Sequence, residues 1–236
     1  TAMRRLALAL GLLLCAAPVL AQEVAQGTEP EFRTLKGHGG PVMAIAVAPS
    51  GQVATGSFDN SVGLWTGTTP RWLEGHAAAV TALTFGAQAQ LVSGGDDFAV
   101  RLWGDEARTL GQHQGKVTAL AVAPDGASVA SGSWDGSVML WPLAGGEGRA
   151  LPAPGAGVNA VAFGDADTLY AATMNGALLR YDLDGSAPVP LAQHGFGINR
   201  LALGDGWIAY GAVDGCTRVL ALATGEQIAD LTLDRR

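Results

Sequence analysis

The chain is short of charge, of cysteine and of long apolar runs, and each shortage removes a class of protein. Of 236 residues only 15% are charged, with 14 basic side chains against 21 acidic ones and a net charge of −7. A net negative charge disfavours both nucleic acid and anionic lipid as partners, and none of either is expected. The two cysteines, Cys15 and Cys216, are too few for a disulfide framework, so stability must come from packing. After residue 21 no apolar stretch approaches the roughly 20 residues of a membrane helix, and no 3.6-residue periodicity marks a long helix. There is no Gly-rich phosphate loop, no Gly-x-Ser-x-Gly elbow and no metal-ligand spacing. The sequence therefore singles out no catalytic, metal or cofactor-binding residue. What it has in quantity is glycine, 34 residues spread along the chain, as many tight turns require.

The N-terminus has a different character. Arg4 and Arg5 precede "LALALGLLLCAAPVLA", with Val19 and Ala21 at the offsets of a signal-peptidase site. Residues 3–21 are expected to be a signal peptide and 22–31 a linker, which makes the protein exported, periplasmic or secreted, with no membrane span after cleavage. The apolar run is 16 residues long and interrupted by Pro18, too short and too broken to favour a span. Cys15 raises the alternative of a lipid anchor, against which Leu14 stands where that motif has Gly or Ala. Residues 1–21 carry two arginines and no acid, so the remainder stands at −9.

From there the chain repeats. "VATGSFDNSVGLW" ends at Trp65, "LVSGGDDFAVRLW" at Trp103 and "VASGSWDGSVMLW" at Trp141, 38 residues apart both times. Two looser copies, "LYAATMNGALLRY" and "IAYGAVDGCTRVL", end at Tyr181 and Leu220. Each copy follows an alternating segment, "VMAIAVA", "VTALTFG", "VTALAVA", "VNAVAFG" and "INRLALG", the period-2 pattern of a strand. Asp135-Gly136, Asn175-Gly176 and Asp214-Gly215 are hairpin signals whose two central residues both tolerate positive φ. A further strand precedes each unit, in "FRTL", "RWL", "ARTL", "GRAL" and "PVPL". Four short strands per unit of 38 to 40 residues, without helices, predict an all-β fold, a β-propeller of four-stranded blades with five blades visible. The units lie near 32–65, 71–103, 107–141, 148–181 and 188–220, with a last strand at 228–233.

This pattern resembles the WD40 repeat family over essentially everything from Phe32 onward. Gly37-His38 and Gly75-His76 match the family's Gly-His pair, and Trp65, Trp103 and Trp141 its closing Trp. The Asp that follows that Trp in the family is absent, since Thr66, Gly104 and Pro142 stand there. The resemblance implies a structural tetrad in each blade, with His in the outer loop, Ser or Thr on the second strand, Asp in the turn and Trp on the third strand. The complete sets are His38, Thr55, Asp59 and Trp65; His76, Ser93, Asp97 and Trp103; and His113, Ser131, Asp135 and Trp141. A single His–Asp pair would suggest a general base and its orienting carboxylate. Recurrence at the repeat period, which also takes in His194 with Asp214, assigns these residues to polar satisfaction of the turn instead. The fourth unit lacks the His and has Ala171 at the Ser position, and the fifth has Tyr210 there.

In this family the residue before the turn Asp lies on one face of the disc. Phe58, Asp96, Trp134 and Met174 hold that place and form the expected partner-binding face, with Phe58, Trp134 and Met174 as its apolar members. The resulting expectation is a non-enzymatic scaffold for an unidentified protein partner, with no cofactor in this chain. The alternative is the propeller portion of a periplasmic c-type cytochrome fusion; no Cys-x-x-Cys-His occurs here. Less favoured is a propeller enzyme with a funnel site. Six outer strands, beginning near Phe32, Arg71, Ala107, Gly148, Pro188 and Ile228, face only five inner sets. One outer strand is therefore surplus, which leads to the expectation of a propeller incomplete at the C-terminus, or alternatively of a closed five-bladed ring with one end strand unpaired.

Overall fold

A computed structural model of the protein describes residues 34–86 and 88–231. The expected signal peptide, the whole linker, the first two residues of the first outer strand and the last five residues lie outside the described residues. Among those described there are twenty strands and no helix.

The strands form five antiparallel sheets of four, each in chain order. The first blade is β1 (Val42–Val47), β2 (Val53–Ser57), β3 (Val62–Thr66) and β4 (Thr69–Leu73). The second is β5 (Val80–Phe85), β6 (Leu91–Gly95), β7 (Ala99–Trp103) and β8 (Arg108–Gln112). The third is β9 (Val117–Val122), β10 (Ser128–Ser133), β11 (Val138–Pro142) and the short β12 (Arg149–Ala150). The fourth is β13 (Val158–Phe163), β14 (Thr168–Thr173), β15 (Ala177–Asp182) and β16 (Val189–Gln193). The fifth is β17 (Ile198–Gly204), β18 (Trp207–Ala212), β19 (Thr217–Ala221) and β20 (Gln227–Asp230). The innermost strands β1, β5, β9, β13 and β17 together line one central channel. Pro70 and Pro190 fall on the outermost strands β4 and β16, where a missing N–H costs no ladder bond.

Of the expected first outer strand only Thr34 and Leu35 are described, and they form no strand; the place beside β19 is held by β20. The turns also differ from the expected two-residue hairpins. Only one residue of each turn has positive φ, Asn60, Phe98, Gly136, Gly176 and Gly215. The amide of Gly136 donates to the carbonyl of Ser133, and that of Ser133 to Ser137. Asp135 is not among the positive-φ residues, and its side chain reaches the amide of Gln114.

The core lies between blades. Each blade's leading face, which looks at the blade before it, enters the trailing face of that blade as a knob enters a slot. A Cβ at Gly56 would lie 2.6 Å from Cγ1 of Val80. Gly94 and Val117, and Gly132 and Val158, repeat the arrangement, and Val80, Val117 and Val158 are wholly buried. Small residues at these slots let the sheets approach, and the apolar area so removed from water is the main stabilising contribution.

A second device joins the blades at the channel. Register shifts between Val80 and Ala82, and between Val158 and Ala160, mark β-bulges in the innermost strands. The matching shift opposite β9 lies between Gly132 and Ser133. A bulge re-aims the extra side chain. Thr81 Oγ1 donates to the carbonyl of Val117 at 2.7 Å, Thr118 Oγ1 to Val158 at 2.5 Å and Asn159 Nδ2 to Ile198 at 3.1 Å, each on the next blade.

The leading face of the first blade has no such cover. Val42 is 46% exposed, where its equivalents Val80, Val117, Val158 and Ile198 are 0% exposed. Ile45 and Val47 on the same strand are also exposed.

Candidate functional site

The His, Ser or Thr, Asp and Trp of the first three blades converge because the repeat returns each to the same radial place. Trp141 Nε1 donates to Ser131 Oγ at 2.7 Å, and that hydroxyl lies 2.7 Å from His113 Nε2. Trp103, Ser93 and His76 do the same at 2.7 and 2.6 Å, and Trp65, Thr55 and His38 at 2.8 and 2.7 Å. The other ring nitrogen, Nδ1, faces the turn carboxylate at 2.9 Å for Asp59 and Asp97 and 3.3 Å for Asp135. An ionised carboxylate only accepts, so Nδ1 carries the proton and Nε2 receives the hydroxyl's. Burial drives the imidazoles of His76 and His113 below their ordinary pKa, outweighing the neighbouring Asp97 and Asp135.

Each carboxylate also gathers backbone donors. Asp59 takes the amides of Gly39 and Ser61, Asp97 those of Ala77 and Ala99, and Asp135 those of Gln114 and Ser137. Burial alone would raise these carboxyl groups. For Asp59 and Asp135 the hydrogen bonds from the Ser61 and Ser137 side chains lead in overcoming it, and for Asp97 the amide of Ala77 does, so all three stay below the usual carboxylate range. Every polar atom of the tetrad is thus spent on holding a loop to a turn, which leaves no base aimed at open space.

The last two blades show what happens when the set decays. In the fourth, Ala171 and Tyr181 replace Ser and Trp, and the buried Tyr181 hydroxyl has no hydrogen-bond partner. Burial pushes its pKa up to about 12. In the fifth, the histidine ring is turned over: His194 Nε2 meets Asp214 at 2.9 Å while Nδ1 lies 3.0 Å from Arg218 Nη1. The fold here gathers His194, Asp214 and Cys216, with potential ligand atoms within 4.8 Å of one another, a cluster that sequence spacing did not reveal. Arginine can only donate, so Nδ1 accepts and Nε2 carries the proton toward Asp214. In this arrangement Nε2 is a hydrogen-bond donor, and the cluster is a variant of the structural tetrad.

The expected partner face opens around the channel mouth. Phe58, Asp96 and Trp134 line a depression of about 540 Å³ together with Lys116, Asn199 and Arg200. Phe58 is 52% and Trp134 47% exposed. Met174, equally exposed, does not line the depression; its sulfur lies over Gly157, which borders Trp134. Lys116 Nζ sits 3.8 Å above the Trp134 ring and 4.0 Å from Asp96 Oδ1, too far to satisfy that buried oxygen. The sequence reading missed the two basic contributors, Lys116 and Arg200, as well as Asn199. Among the described residues Arg200 is the one charged side chain on the inner channel wall, at the place held by Ala44, Ala82, Ala119 and Ala160 in the other blades. That break in the repeat register is legible once the five copies are superposed.

Radial four-stranded blades with a His–Ser/Thr–Asp–Trp set in three of them define a β-propeller of the repeat type. Residues 30–66, 67–104 and 104–142 match the family model described as WD domain, G-beta repeat, so the chain carries WD40 repeats at these three positions. The matched stretches coincide with the three blades whose tetrads are complete. No curated protein matches the chain. WD40 repeats are in general scaffolds for protein interaction.

Proposed function

We propose that this protein is an exported, non-enzymatic scaffold that binds a protein partner at the mouth of its channel. The observation that carries the reading is the depression itself. Two half-exposed aromatic side chains, Phe58 and Trp134, line it together with the charged Asp96, Lys116 and Arg200. Half-exposed aromatics beside a partly desolvated charge pair are the usual anchors of an interface. The histidines and turn aspartates, the residues best suited to acid–base chemistry, are consumed in structural networks, which supports a binding role over catalysis. Export rests on Arg4, Arg5 and the apolar run behind them.

The test is affinity capture from periplasmic extract, followed by calorimetry of the captured protein against the wild type and Phe58→Ala and Trp134→Ala variants. The expected result is a loss of about tenfold or more in affinity with an unchanged melting temperature. Binding that survives both substitutions would overturn the placement of the site.

A further inference from the structure

At the channel mouth most polar side chains are spent on the fold itself, and Arg200 is not. Thr81, Thr118 and Asn159 donate to carbonyls of the next blade, and Lys116 is held over the Trp134 ring beside Asp96. Arg200 gives one N–H, from Nη1, to the carbonyl of Asn199 at 3.2 Å, and among the described residues it forms no ion pair. Its place is set by the repeat. Arg200 pairs with Gly211 as Ala82 pairs with Gly94 and Ala119 with Gly132, and those two alanines line the channel from blades packed on both sides. Facing the channel is therefore a property of the register position. Two cations, Lys116 and Arg200, stand against the single carboxylate of Asp96 in the lining of the depression, so the mouth is locally positive on a chain of net charge −7.

We propose that Arg200 is the subsite for an acidic side chain, Asp or Glu, on an extended segment of the partner protein, a refinement that rests on the reading of this mouth as a protein-binding site. The guanidinium is a planar fork of N–H donors that can serve both oxygens of one carboxylate at once. The wall beside it is apolar, with Ala44, Ala160 and Leu201, and a charge pair is stronger where water is partly displaced. A neutral or basic segment seated in the mouth would strip water from the guanidinium without returning a partner, which costs free energy. Lys116 cannot take this role, because the Trp134 face and Asp96 already hold it. Phe58 and Trp134, half exposed at the rim, receive the apolar neighbours of the acid. The acidic surroundings add selectivity, since such a segment is repelled elsewhere on the chain and admitted here.

The experiment is a heteronuclear NMR titration of the full chain with blocked pentapeptides that differ only in the residue between two leucines, Glu, Gln or Lys, and with the Gln peptide bearing a free C-terminal carboxylate. The proteins are the wild type, Arg200→Ala and Trp134→Ala. Arg200→Ala installs the residue that the other four blades carry at this place, so the melting temperature is expected to stay unchanged. The Glu peptide is expected to bind the wild type about tenfold or more tightly than the Gln peptide and to shift the Nε–H signal of Arg200. That advantage should vanish in Arg200→Ala, while Trp134→Ala weakens both peptides by the same factor. Equal binding of the Glu and Gln peptides, weakened by Trp134→Ala, would overturn the carboxylate subsite and leave the binding mouth standing. Binding of no peptide would overturn the subsite as well, with the scaffold reading still decided by calorimetry of the captured partner. A preference for the Lys peptide would assign the mouth to Asp96, and a preference for the free C-terminus would make a chain end the ligand; either result sinks the proposal.

Discussion

Replacing Ser131 with Ala removes one oxygen and leaves two buried partners behind. Ser131 is 0% exposed, and its hydroxyl receives the Trp141 indole N–H and faces His113 Nε2, both at 2.7 Å. With Trp141 and His113 also buried, water cannot take the place of the hydroxyl, so the desolvation cost of an unsatisfied donor, about 1 to 3 kcal/mol, falls on the indole. The loss of the histidine contact adds about 1 kcal/mol, for a total of about 2 to 4 kcal/mol. Asp135→Ala is the comparison. It removes more hydrogen bonds, but its side chain is 13% exposed and water reaches several of the released groups, so it is expected to cost about 1 to 3 kcal/mol. Urea unfolding followed by tryptophan fluorescence measures both, with constant slopes as the condition for comparing midpoints. If Ser131→Ala fell within 0.5 kcal/mol of the wild type, roughly the spread of surface substitutions, the tetrad would not be a stability element. If Asp135→Ala proved the costlier of the two, the ranking by burial would be wrong.

Acidification should destabilise the protein in two stages. His76 and His113 have folded pKa values below the ordinary 6.5, so their contribution is complete above that pH and is lost as pH falls through the folded values. Asp59, Asp97 and Asp135 are also lowered, so theirs is complete above about 4 and declines at lower pH; melting temperatures from pH 7.5 to 3 would show a plateau and then two descents, and a maximum near pH 5 would contradict the assignment. Tyr181→Phe should raise stability by about 1 kcal/mol, since it deletes a buried hydroxyl that has no partner, and denaturant midpoints would show the reverse if that hydroxyl were satisfied. Phe98 occupies the left-handed turn position with φ 69 where other blades have Gly or Asn, so Phe98→Gly should stabilise by about 1 kcal/mol, read as an upward shift of the midpoint at unchanged slope.

Much of this architecture follows from the sequence because the repeat states each local rule five times. Alternation in "VTALAVA" and its copies marks the innermost strands, Gly136, Gly176 and Gly215 mark three of the turns, and four histidines in the whole chain all fall at tetrad positions. The hydrogen bonds around Ser131 and its counterparts lie between residues that the period itself brings into register. Where the reading by period was weakest, at Ala171 and Tyr181 or at Tyr210 and Leu220, the blades keep their sheets while their polar networks are rebuilt, because the inter-blade apolar contacts do not depend on the tetrad.

Other features could be decided only by the packed chain. Whether a valine is a core residue or an exposed one depends on what stands across from it: Val42 and Val80 have the same local pattern, yet one faces a neighbouring blade and the other does not. The glycine slots, the bulge residues that reach across to the next blade, and the meeting of Asp96, Lys116, Trp134 and Arg200 at one channel mouth join residues from separate repeats. The repeat determined what each blade is, through short-range rules that period 2 and turn chemistry make legible. The tertiary structure decided which faces are filled and which remain open, because burial is a property of a pair of surfaces and not of either sequence alone.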